Sequence, residues 1–97
     1  QMCIRDSFES MKRKIILHLK NGDEHEYYGT MKEVIDKVSP QLFTQIHHSF
    51  VINMDYVQTK SGETIVMQSG REIAITKKFH KSFQSAYRNY VMMRTKI

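Results

Sequence analysis

Hydrophobic residues in the first half of the chain come in short runs, a pattern typical of strands. The strongest run is Lys14–Leu19, rich in Ile and Leu, which predicts a strand. Asn21-Gly22 follows, and this dipeptide favours a hairpin turn because both residues tolerate positive φ. Glu24–Tyr28 is then the predicted return strand. Residues 8–10, which precede a short basic turn, are typical of the end of another strand.

Two helices are predicted from apolar residues spaced three and four apart. The first covers residues 31–38: Thr30 and Glu33 can form a capping box at its start, and Pro40 follows its end. The second covers residues 77–92, where one face carries Phe79, Phe83, Ala86, Tyr87 and Tyr90. Between the helices, residues 56–59, 64–68 and 72–75 have the pattern of strands. The predicted fold is mainly β, with short strands in small antiparallel sheets, one short helix and a C-terminal amphipathic helix.

The central stretch, residues 43–56, reads FTQIHHSFVINMDY. Strand alternation would place Phe43, Gln45 and His47 on one face. The alternation breaks at His48-Ser49, resumes with three apolar residues and turns at residues 53–55. The stretch is too apolar to be exposed, so its central polar groups are either satisfied internally or presented to a partner.

Composition indicates one small domain. The chain has 97 residues, a formal charge of +5 and a pI of about 9.4, a balance that favours nucleic acid or another anionic surface as partner. The single cysteine, Cys3, fits a reducing compartment, and no apolar run approaches the roughly 20 residues of a membrane span. We therefore expect a cytoplasmic protein. Residues 1–7 have no clear period and are assigned to a leader outside the domain.

The motifs of catalysis and metal binding are missing from the sequence. His47 and His48 are neighbours, which on a strand point to opposite faces and chelate poorly, and the other histidines lack metal-site spacing. Ser49 has no surrounding sequence that would activate its hydroxyl, and no Gly-rich phosphate loop occurs. We expect neither enzymatic activity nor a cofactor.

Basic residues and histidines leave two interpretations open. One histidine of the pair could be a core residue bonded to backbone while the other faces solvent; alternatively, His48 reaches a phosphate or a base edge. Charge runs are usually solvated faces, but here the cations fall at strand ends, where loops can meet and contact a DNA backbone. These cations are Lys12, Arg13 and Lys14; Arg71; and Lys77, Lys78 and Lys81.

The stretch FTQIHHSFVINMDYV resembles the signature of the LytTR DNA-binding domain, in which a phenylalanine leads a strand that ends in His-x-Ser-aromatic-Val-Asn. The resemblance extends to both sides of this stretch. The family's strand, hairpin and short helix are similar to FESMKRKIILHL, Asn-Gly and EYYGTMKEV, and its closing hairpin is similar to residues 66–78. The resemblance covers residues 8–90. The family usually has Arg at the position of His48 and Ser-Arg at that of Thr76-Lys77. By this comparison residues 8–97 form a LytTR-like domain that lacks its first strand or strands, which would leave an unpaired edge beside residues 8–10.

The resemblance implies duplex DNA binding through loops at one edge, which reach successive major grooves and the minor groove between them. It implies the output domain of a bacterial two-component response regulator, bound to promoter direct repeats as a homodimer, with a receiver domain upstream and no membrane contact. By position, the DNA-contacting residues are Lys12 and Arg13, His48 and Ser49, and Lys77 and Lys78. His47, Asn53 and Phe83 are expected to be structural.

One further function remains open. A small β-rich protein-interaction domain could use the same basic edge to bind an acidic protein partner. The two functions differ in salt dependence, since release of counterions weakens DNA binding linearly in the logarithm of salt concentration.

Overall fold

The computed structural model describes residues 5–95. Within this range the chain forms eight strands and two helices: β1 Arg5–Met11, β2 Lys14–Leu19, β3 Glu24–Tyr28, α1 Met31–Lys37, β4 Phe43–His47, β5 Phe50–Asn53, β6 Val57–Ser61, β7 Thr64–Met67, β8 Glu72–Ala74 and α2 Lys77–Thr95. A short 3₁₀ turn, Met54–Tyr56, joins β5 to β6. Among the described residues, neither helix combines the length and the apolar character needed to cross a membrane.

The strands form two antiparallel sheets, and the predicted mainly β fold is confirmed. The larger sheet has five strands in the order β3-β2-β1-β5-β4, and the smaller has three in the order β6-β7-β8. Helix α1 keeps the predicted capping box: the Thr30 amide donates to Glu33 Oε1 (2.9 Å) and the Glu33 amide to Thr30 Oγ1 (3.3 Å). In the Asn21-Gly22 turn only the glycine has positive φ (97°), as in a three-residue hairpin loop.

Strand β1 is the central strand of the larger sheet. Ser7 lies opposite His18 of β2 on one side and Ile52 of β5 on the other. Residues 5–7, which we assigned to a leader, therefore form the first part of a central strand, and residues 8–10 do not lie beside the open edge that we expected. The reason for the misassignment is that buried polar residues, Asp6 and Ser7, interrupt the apolar pattern of a central strand. That the domain lacks a first strand remains a prediction.

The larger sheet separates two hydrophobic cores, because successive residues of a strand point to opposite faces. Val51 packs on the face covered by α1, and Ile52 packs on the face covered by the smaller sheet and α2. The first core contains Phe8, Ile15, Met31, Val34 and Val51. The second contains Ile46, Ile52, Ile65, Met67, Ile73, Ile75 and Phe83.

Helix α2 is fixed at two points along its length. Phe83 is fully buried and its ring stacks on Tyr87 at 5.4 Å. Near the C-terminal end, Asp55 of the 3₁₀ turn accepts hydrogen bonds from the Tyr90 hydroxyl and from Arg94 Nη2 (2.7 Å for Arg94). These contacts continue the helix beyond residue 92, where the sequence predicted its end.

Candidate nucleic-acid interface

The β1–β2 turn presents two cations to solvent. Met11 and Lys14 pair across the hairpin, so Lys12 and Arg13 form the turn itself. Lys12 has φ of 56°, the left-handed conformation that a turn this tight requires. The Arg13 carbonyl accepts from the Gly29 amide (3.1 Å), which ties the turn to the chain leaving β3.

The β4–β5 turn presents His48. His47 pairs with Phe50, and His48 and Ser49 make the turn between them. The Ser49 amide donates to His47 Nδ1 (3.0 Å), so the half-buried His47 side chain closes the turn on the inside. His48 is exposed, and its ring stacks on that of His47 with centroids 4.7 Å apart.

The face of His47 differs from the one expected. The register of β4 against β5 shifts between Gln45 and His47, and such a bulge reverses the side on which the following residue points. His47 consequently lies edge-on against Phe50 (5.6 Å), whereas Phe43 packs on the opposite core. The prediction that Phe43 and His47 share a face is wrong, and the adjacent histidines stack because only the first belongs to the strand.

The junction of β8 and α2 presents Lys77 and Lys78. The Thr76 amide donates to the Ile46 carbonyl of β4 (3.0 Å), and the Phe79 amide donates to the Thr76 carbonyl (3.0 Å). Lys77 and Lys78 therefore begin α2 directly beside the end of β4. The free amides and dipole of a helix N-terminus add a favourable environment for an anion.

Hydrogen bonds bring these three segments to one end of the molecule. The Ser10 amide donates to the Ser49 carbonyl (2.8 Å), which joins the β1–β2 turn to the β4–β5 turn. The bond from Thr76 to Ile46 joins the β4–β5 turn to the start of α2. We call the resulting surface the basic end: Lys12, Arg13, His48, Ser49, Lys77 and Lys78.

The cations of the basic end are free to meet an anionic partner. Lys12, Arg13, Lys77 and Lys78 are all exposed, and the ion pairs among residues 5–95 involve none of them. The Lys78 amine lies over the Phe79 ring at 5.4 Å. Phosphate contacts from such side chains supply the sequence-independent part of DNA affinity.

Arg71 and Lys14 form ion pairs with acidic side chains of the protein itself. Arg71 Nη1 donates to Ser7 Oγ (3.2 Å), and its Nη2 lies 3.8 Å from Glu9 Oε1. Glu9 also bonds His18 Nε2 (3.0 Å), so this partly buried polar cluster links β1 and β2 to the segment before β8. Lys14 lies 3.7 Å from Glu26.

Three residues were expected to be structural, and each contacts the protein interior. Asn53 is buried, donates to the Arg5 carbonyl (2.9 Å) and accepts from the Asp55 amide (2.9 Å). Phe83 fills the second core, and His47 closes the turn described above. The Ser49 amide bonds His47 and its carbonyl bonds Ser10 of β1; within residues 5–95 its hydroxyl makes no hydrogen bond.

The sequence analysis missed Tyr28 as a candidate residue of the basic end. Its side chain is 80 % exposed at the end of β3, opposite Lys14, and the next residue, Gly29, bonds Arg13. An aromatic residue left exposed at a strand end is a common contact residue in interfaces. The sequence could have indicated Tyr28, because it is the last residue of the predicted return strand and so lies opposite the start of β2, next to Arg13.

The fold and the basic end together define a small β domain with an exposed cationic surface built largely from turns. A sequence profile of the LytTr DNA-binding domain matches residues 6–88, so the chain belongs to the LytTr DNA-binding domain family. The chain is also similar to the solved LytTr DNA-binding domain of a protein described as a methyl-accepting/DNA response regulator from Bacillus cereus. The TM-score is 0.76 at 14 % identity, over 84 % of this chain and 79 % of that one. The comparison with curated proteins gave no match.

Proposed function

We propose that the chain binds duplex DNA in a sequence-specific manner as the output domain of a bacterial transcription regulator. The regulator would be a cytoplasmic two-component response regulator with a receiver domain upstream. Its targets would be direct repeats in promoters, occupied by two copies of the chain. This goes beyond the membership in a DNA-binding family that the profile match establishes.

The observation that carries the proposal is that backbone hydrogen bonds bring together the three segments that carry Arg13, His48 and Lys77. Side chains on short turns can enter grooves, and unpaired cations around them can hold the flanking phosphates. We assign Lys12, Arg13 and Lys78 to phosphates. We assign Lys77 and Ser49 to base edges, where Lys prefers guanine, and His48 to a phosphate or a base edge.

The alternative function is binding of an acidic protein by the same surface. The exposed Tyr28 beside Arg13 favours it, since exposed aromatic residues and arginines are enriched in protein interfaces. The two functions predict different competition behaviour.

The experiment measures binding of the chain to duplexes selected from a random pool, to random duplex and to an acidic polypeptide, at several salt concentrations. We expect selected DNA to bind at least about 10³-fold more tightly than random DNA, with affinity falling linearly in log salt. Equal affinities for the selected duplex, the random duplex and the acidic polypeptide would contradict sequence-specific DNA binding and favour the protein-interaction function.

A further inference from the structure

The β4–β5 turn brings together two histidines in different chemical situations, His47 at the end of β4 and His48 of the basic end. Their rings stack with centroids 4.7 Å apart and planes inclined by 27°. His47 is half-buried and hydrogen-bonded, and His48 is exposed. Imidazole is the side chain that changes charge between about pH 5 and pH 8, so the charge of this surface depends on how the pair binds protons.

The Ser49 amide fixes the protonation of His47. A backbone N–H can only donate, so Nδ1, which lies 3.0 Å from it, holds a lone pair. A proton on Nδ1 would break this bond and leave the Ser49 amide without its acceptor. The Ser49 carbonyl meanwhile accepts from Ser10, so the bond at Nδ1 also helps to hold the turn against β1.

His48 can take up a proton at no such cost. Among residues 5–95, neither of its ring nitrogens makes a hydrogen bond or an ion pair; its carbonyl is the group that accepts from Gln45 Nε2 (3.5 Å). Because two imidazolium rings in stacking contact would repel each other, the first proton goes to one ring of the pair. The hydrogen bond of His47 decides that this ring is His48.

The segments beside the β4–β5 turn carry more basic than acidic residues. The neighbouring segments carry Lys12 and Arg13, Lys77 and Lys78, and a further histidine, His80; the acidic groups on adjacent elements are Glu9, which is bonded to His18, and Glu63. A DNA phosphate at this surface reverses the balance, since a nearby anion favours the charged ring. Proton uptake is therefore coupled to DNA binding.

We propose that His48 is a proton-dependent DNA contact, whose imidazolium donates to a backbone phosphate, and that His47 is the positioning residue that stays neutral and holds the turn. The proposal rests on the proposed function and adds its regulation by pH. DNA affinity then rises as His48 gains a proton.

The test measures the dissociation constant of a labelled random-sequence duplex between about pH 5.5 and pH 8, at several salt concentrations. A random duplex suffices because a phosphate contact is independent of sequence. We expect binding about tenfold or more tighter at the acidic limit, the factor for one charged hydrogen bond. The slope of log affinity against log salt should steepen there by about 0.9, the value for one added phosphate contact.

Three variants locate the proton. His48→Arg carries a permanent charge, so its affinity should be high and independent of pH; His48→Gln cannot be charged, so its affinity should be low and independent of pH. His47→Asn places an amide oxygen near the position of Nδ1 and keeps an acceptor for Ser49, so it should retain the wild-type pH profile. Thermal denaturation of each variant verifies that it is folded.

The outcomes separate the two claims. A pH dependence of DNA affinity that persists in His48→Arg would overturn the inference, because another group would then bind the proton. Loss of the pH dependence in His47→Asn would also overturn it, because the proton would then bind His47. Wild-type binding that is independent of pH would also overturn the inference while leaving the proposed function intact. Failure to bind selected or random DNA at any pH would contradict the proposed function itself.

Discussion

Asp6 carries a buried carboxyl group in the central strand β1. Its side chain is 1 % exposed, and no described residue bonds either oxygen. Burial raises the pKa of this carboxyl above its ordinary value, although the nearby hydroxyl of Ser7, the charges of Arg71 and His18, and the hydroxyl of Ser69 oppose the shift. A pKa raised by folding stabilises the folded state below the unfolded pKa, and this stability is lost as pH rises through the folded pKa.

We therefore expect Asp6→Asn to increase the free energy of unfolding, relative to wild type, by more at neutral pH than at acidic pH. Urea denaturation near pH 4 and near pH 7 measures the two differences. Asp36→Asn, at an exposed position of α1, is the control and should give the same small difference at both. If Asp6→Asn behaves like this control, burial of Asp6 does not disfavour its charge.

A second prediction at this scale concerns Asn53, whose side chain bonds the Arg5 carbonyl and the Asp55 amide inside the protein. Asn53→Ala leaves both groups without a partner and should lower the free energy of unfolding by about 2–6 kcal/mol, since each buried unsatisfied group costs about 1–3 kcal/mol. Chemical denaturation measures it. A loss no larger than that of the exposed control Gln58→Ala would mean that water replaces the amide.

Helix α2 is the element whose docking completes the second core. Phe83 is fully buried against Ile46, Ile52 and the smaller sheet. Phe83→Ala should lower the free energy of unfolding by about 3–5 kcal/mol, the cost of a large core cavity. Gln84→Ala, the exposed neighbour on the same helix, should change it by no more than about 0.5 kcal/mol. Equal denaturation midpoints for the two variants would show that α2 is not docked.

At the scale of elements, the sequence predicted what local signals encode. The hairpin of β2 and β3 follows from an apolar run and a Gly-containing turn, and α1 follows from a capping box. Strand β1 was missed in part because Asp6 and Ser7 are polar and nevertheless buried. Ser7 bonds Arg71, more than sixty residues away, and no local pattern reveals such a partner.

The basic end shows the same division between local and distant information. The turns at Lys12-Arg13 and His48-Ser49 could be predicted because each interrupts a strand pattern. That they meet depends on the pairing of β1 with β5 and on the bond from Thr76 to Ile46, both long-range. The bulge that turns His47 toward Phe50 was also invisible, since bulges arise from register between strands.

For the molecule as a whole, Lys77 and Lys78 should differ in their effect on DNA binding. Lys78→Ala should weaken selected and random duplexes about equally and reduce the salt slope by roughly one, as expected for a phosphate contact. Lys77→Ala should cost about 1–3 kcal/mol on the selected duplex and far less on random DNA, as expected for a base contact. Titrations at several salt concentrations measure both. Matching effects of the two variants on both duplexes would contradict this assignment.

The central claim is that one end of the molecule, assembled from three separate segments, binds DNA. The most direct test is the affinity of the triple variant Arg13→Ala, His48→Ala, Lys77→Ala for the selected duplex. Its control is the double variant Lys20→Ala, Lys37→Ala, which removes the same formal charge from exposed positions after β2 and at the end of α1. We expect the triple variant to lose at least about a hundredfold in affinity, the effect of two lost contacts, and the control to lose only a fewfold. Equal losses in the two folded variants would mean that overall charge, and not the basic end, holds the DNA.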